Sequence, residues 1–203
     1  MANDLSIVRE GEQFSSASGF ELAQRVAGAL CSSTMIPREY RGKENLGNVL
    51  VALDISQRLQ MSPLMVMQNL HMIHGKPAWS GQFAIAAVNN SGRFSEPLRF
   101  AFGGEPGTDT WDCRAIGKTH SGQEIEGPRI SIGMAKAEGW IGKSGSKWKT
   151  MPDLMLRYRA GAWFARTQCP EILMGIQTVE EIQDVARAKE SSVVSEVEAI
   201  IDG

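Results

Sequence analysis

The chain has 203 residues, 42% of them hydrophobic and 22% charged, which suits a globular protein able to bury a core. No apolar run approaches the ~18–20 residues of a membrane span. Three widely spaced cysteines, Cys31, Cys113 and Cys169, argue against a disulfide framework, and residues 1–13 lack the apolar stretch of a secretory signal. The expected location is therefore the cytoplasm, with no membrane partner. The net charge of −2 speaks against a nucleic-acid partner only as an average. From Lys136 to Arg166 seven basic residues face only Glu138 and Asp153, whereas eight acidic and two basic residues follow from Glu171 to Gly203. A basic stretch before an acidic tail can hide a DNA-binding surface inside a neutral total.

In chain order, residues 1–17 are polar and Ser-rich and read as a flexible N-terminus. Ser18 is placed to cap a helix from Phe20 to Leu30, with Leu22, Val26 and Leu30 on one face. Asn45 is placed to cap a second helix carrying Leu46, Val49, Leu50 and Leu53. Ser62-Pro63 opens a short helix through Asn69. Gly75-Lys76-Pro77 between apolar flanks predicts a β-hairpin over 71–80. Ser80 then caps a helix from Gly81 to Asn90. Three β-prone runs, Leu98–Phe102, Thr110–Ile116 and Glu124–Ile132, separated by Gly-rich turns, predict an antiparallel meander. A loop from Gly139 to Lys149 leads into a helix over Met151–Gln168, which Cys169-Pro170 ends. Thr178 and Glu181 have the spacing of a capping box for one more helix. Residues 18–189 form the expected core domain, and 190–203 read as an acidic tail.

Few segments suggest catalysis. Gly117-Lys118-Thr119 and Gly142-Lys143-Ser144 imitate the end of a phosphate loop, but the earlier glycine that such a loop needs is Asp112 or Ala137. His71 and His74 have no other metal ligand nearby at ligand spacing. No nucleophile elbow or carboxylate pair is legible, so no cofactor and no enzymatic activity are expected. Trp79, Phe83, Ile85 and Val88 read as core, and Met61, Met65, Met67 and Met72 as core packing or a subunit interface.

The helix over 151–168 is apolar almost all round, yet Arg157, Arg159 and Arg166 are set into it. Arg159 and Arg166, seven apart, share a face. Such a guanidinium needs an anion, either a carboxylate from Asp153 or elsewhere, or a phosphate. Lys147, Lys149, Trp140 and Trp148 lie just before it, and cations interleaved with aromatics suit single-stranded nucleic acid.

The run Trp148-Lys-Thr-Met-Pro152-Asp-Leu-Met155-Leu156-Arg157-Tyr-Arg159-Ala160, followed by Ala165-Arg166, resembles the W-x-x-x-P-x-x-M-L-R-x-K-A…A-R stretch of the RecT/Red-beta family of phage single-strand annealing proteins. Met61-Ser-Pro63, the turn at Gly75-Lys76-Pro77 and the Phe83–Phe94 passage follow the same order, so the resemblance covers about residues 35–187. It implies a single compact α+β domain, a small antiparallel sheet packed on helices, assembling into helical or ring oligomers. It also implies ATP-independent binding of single-stranded DNA and annealing of complementary strands in recombination, within a bacterial host cell. By the same resemblance Lys76, Arg157, Arg159 and Arg166 would contact DNA. Lys147, Trp148 and Lys149 join them on their own chemistry. A phage exonuclease or host single-strand-binding protein is a partner implied by the family alone. Asp153 stands where the family has a lysine, and Arg159 replaces another lysine, keeping the charge but adding a planar fork. The rival expectations are a Mg²⁺-dependent nuclease and a passive single-strand-binding protein.

Overall fold

The computed structural model describes residues 14, 16–73, 75–142 and 146–182. The readings made for residues 1–13, for Lys143 and Ser144 and for the tail 190–203 lie outside the described residues. The architecture is α+β, with small sheets packed on helices. Where the sequence suggests one core over 18–189, the chain groups into two compact units that divide between Met72 and Ile73.

The first unit is largely helical. Helix α1, Ala17–Cys31, begins earlier than expected because Ser16, not Ser18, accepts the Gly19 N–H at 3.1 Å. Its buried stripe is Gly19, Ala23, Ala27 and Cys31, four apart and small, whereas Val26 is exposed and Leu22 and Leu30 are half-buried. Small side chains let α1 lie close against α2, Leu46–Arg58, which contributes Val49, Ala52, Leu53 and Ile55 to the core. Asn45 precedes α2 but donates to the Arg41 carbonyl instead of capping. Helix α3, Pro63–Asn69, opens on proline as its sequence predicts, and strand β1, Leu70–Ile73, follows. Tyr40 is fully buried and donates its hydroxyl to the Leu70 carbonyl at 2.7 Å. Of the Met stripe, only Met67 is fully buried; Met65 and Met72 face solvent.

The second unit, from Ile73, opens on the turn at Gly75, whose φ of +76° is one that glycine adopts without strain. Strand β2 is Lys76–Trp79, and helix α4, Gly81–Asn90, is capped by Ser80 through the Phe83 N–H. Trp79 is fully buried, stacks on Phe83 at 4.2 Å and donates its indole N–H to the Leu173 carbonyl. Next come β3, Arg99–Gly103, and β4, Asp112–Lys118, joined antiparallel. The expected third strand is broken in two, β5, Glu124–Glu126, and β6, Ile130–Ser131, both antiparallel to β4. Pro128 lies between them and has no N–H to donate to a ladder.

Three short α-helices went unforeseen in the sequence: helix α5, Ile132–Ala137; helix α6, Lys147–Thr150; and helix α8, Pro170–Leu173. The long helix α7, Pro152–Gln168, matches its prediction to within one residue. Strand β7, Gln177–Thr178, pairs parallel with β2.

Helix α7 packs on β4 and α4, and glycines decide how closely. A Cβ on Gly161 would sit 2.5 Å from Ile85, and one on Gly117 would meet the Phe94 and Phe164 rings at under 3 Å. The glycine of the first phosphate-loop look-alike therefore lies in strand β4 and makes room for aromatic rings. Among the described residues, no helix is long and apolar enough to cross a membrane.

A candidate nucleic-acid interface on helices α6 and α7

The candidate residues begin with α6, a single turn in which Lys147 and Lys149 are exposed and Trp148 is only 3% exposed. The Trp148 ring packs on Trp140 at 5.4 Å, and Trp140 meets Trp163 edge-on at 6.5 Å. Trp148 is thus part of the core and offers no face to a base, contrary to the sequence expectation. The indole holds α6 down and leaves its two lysines outside.

Helix α7 buries Met155, Leu156, Ala160, Gly161, Ala162, Phe164 and Ala165, and with them Arg159. The Arg159 side chain is 4% exposed, its guanidinium 4.0 Å above the Trp140 ring and 4.0 Å from the Glu181 carboxylate. Arg166, one heptad on, donates to the same carboxylate at 2.7 Å while 42% of its side chain stays exposed. Both arginines share a face, as their spacing predicts, but that face looks at a buried glutamate.

Glu181 is held for this task by the capping box. The Thr178 N–H and hydroxyl donate to its carboxylate at 2.8 and 3.1 Å, and the Glu181 N–H returns to the Thr178 hydroxyl at 3.4 Å. One carboxylate therefore starts the helical turn 179–182 and neutralises cations on α7. Of the two anions open to Arg159, the structure supplies the carboxylate. Arg159 is a structural residue here, and Arg166 offers at most one side of its fork.

Arg157 stands apart. It is exposed, and its guanidinium lies over two rings of β3, 5.0 Å from Phe102 and 5.8 Å from Phe100. No acidic partner meets it among the described residues; Asp153, one turn earlier, makes no ion pair with it. Beneath it, Cys113 of β4 is fully buried, and burial pushes the thiol up to about 11 although the Arg157 charge pulls it down.

On the other face of the same sheet the arginines are paired: Arg99 with Glu124 and Glu96, and Arg114 with Glu126 at 2.8 Å. Arg129 likewise meets Asp112 at 3.4 Å, and Lys136 is bonded to Asp109. Lys76, at the exposed start of β2, has no ion-pair partner among the described residues. Of the seven residues singled out in the sequence, four thus remain as exposed cations that meet no acid among the described residues: Lys76, Lys147, Lys149 and Arg157. The aromatic partner that sequence reasoning missed is Phe102, 37% exposed; only strand alternation, with Phe100 and Phe102 two apart, hinted that the two rings share a face.

Among the described residues no group of three or more His, Cys, Asp or Glu side chains could hold a metal ion. His71 lies 3.5 Å from Glu39, and His120 bonds the Gly92 carbonyl. Comparison of the chain with protein-family models, with curated proteins and with solved structures finds no match.

Proposed function

We propose that this chain binds single-stranded DNA and anneals complementary strands without ATP or any other cofactor. The observation that carries the reading is the set of exposed cations that meet no acid among the described residues, Lys147 and Lys149 of α6 and Arg157 of α7. Among the described residues of the second unit every other arginine meets a carboxylate, so Arg157 is the one whose charge is left for a polyanion. The resemblance to the RecT/Red-beta family supports the same function, with homo-oligomers on DNA and a nuclease or single-strand-binding protein as partner.

In this reading lysines and Arg157 hold phosphates and leave base edges open to a complement. Pairing itself supplies the free energy, ~1.4 kcal/mol per base-pair step. The test is a gel with two complementary oligonucleotides, with and without protein, ATP and Mg²⁺. The expected result is faster pairing that needs neither additive. Mg²⁺-dependent cleavage would replace this reading with a nuclease, and binding without faster pairing would replace it with a passive single-strand-binding protein.

A further inference from the structure

The geometry points to a base-stacking platform at the edge of the sheet, made by Phe102 with Arg157 and Trp111, that takes unpaired nucleobases. The inference rests on the DNA-binding reading and says which part of the DNA this site recognises.

Phe100 and Phe102 alternate onto one face of β3, the terminal strand of its sheet. Arg157 crosses both rings, and the Phe102 ring lies 6.2 Å from Trp111 with 35° between their planes. A ring that serves only to fill the core is covered by its neighbours, but Phe102 is among the large apolar side chains left exposed. An arginine that serves only to keep a surface soluble is usually matched here to a glutamate, as Arg99 and Arg114 are.

An exposed ring beside an uncompensated guanidinium fits a nucleotide in both its parts. The base offers a π-face to Phe102, and the adjoining phosphate offers its charge to Arg157. In a duplex each base face is already covered by the next pair, so the platform selects strands that are not yet paired.

The test compares an oligothymidine with an abasic oligonucleotide of equal length and backbone charge, titrated into the full chain and followed by anisotropy. The wild type is expected to prefer the oligothymidine by about tenfold, the size of one base–aromatic stack. Phe102→Leu keeps the apolar bulk without the aromatic face, and should collapse that preference, the loss falling several-fold more on the oligothymidine than on the abasic ligand. Trp111→Leu removes a second ring independently and should reduce the same ratio. Arg157→Gln should weaken both ligands together. A wild type that holds both ligands equally, or ring variants that keep the full preference, would overturn the platform and leave the DNA reading standing on the abasic affinity. Failure of the wild type to bind either would overturn both.

Discussion

Arg157 and Arg159 are two positions apart on α7 and about 200° apart around it. On one side Arg157 lies in the open over two phenylalanine rings. On the other, Arg159 is sealed between Trp140 and the Glu181 carboxylate, which Arg166 shares. Counting basic residues treats these arginines as equals. Burial and the supply of acids decide which charge is available to a ligand and which is already committed to the fold.

The strongest way to break this contrast is to remove the shared carboxylate. Glu181→Ala removes the buried carboxylate that Arg159 and Arg166 share, and breaking a buried pair costs ~3–5 kcal/mol. Urea unfolding should show that loss; a wild-type midpoint would mean that the pair carries no stability. Arg159→Glu should be as damaging, because it sets two carboxylates face to face.

Arg157→Glu should do the opposite, lowering affinity for single strands by more than tenfold while stability stays within about 0.5 kcal/mol of wild type. Equal affinity in that variant would move the DNA surface away from α7. Next in size is the salt response. Four exposed cations, Lys76, Lys147, Lys149 and Arg157, predict a log–log slope near −3, at about −0.7 per phosphate contact. Arg157→Gln should flatten it by about 0.7. The smallest effect belongs to Arg114→Gln on the opposite face of the sheet, where an exposed pair contributes ~0–1 kcal/mol and DNA affinity should not change.

Elements with a strong local signal were legible in advance. Pro152 and Cys169-Pro170 bracket α7, Ser80 caps α4, and Thr178 with Glu181 forms the box that its spacing promised. What escaped depends on partners far away in sequence. The two residues of β7 have no pattern of their own and are a strand only because β2 lies beside them. Trp148 reads as a stacking residue beside two lysines, and only the positions of Trp140 and Trp163 turn it inward. Choosing between a phosphate and a carboxylate for Arg159 likewise needed Glu181, 22 positions on, to be placed in space. In α1 the periodic Leu22, Val26 and Leu30 row outranked the small residues that are buried, because hydrophobicity does not report how closely two helices approach.

The pairing of Trp79 with Thr178 has a consequence for synthesis of the chain. Contacts between residues so far apart in sequence form late, since the intervening loop must close first. On the ribosome β2 emerges about a hundred residues before β7, its parallel neighbour, and α7 emerges before Glu181, the carboxylate that Arg159 and Arg166 share. Until residues 177–181 are out, the β7 side of β2 is open and Arg159 and Arg166 lack their shared carboxylate, and unpaired strand edges of this kind make unfinished chains prone to aggregate. Residues 177–181 therefore close a sheet edge and bring a carboxylate to two arginines in one step.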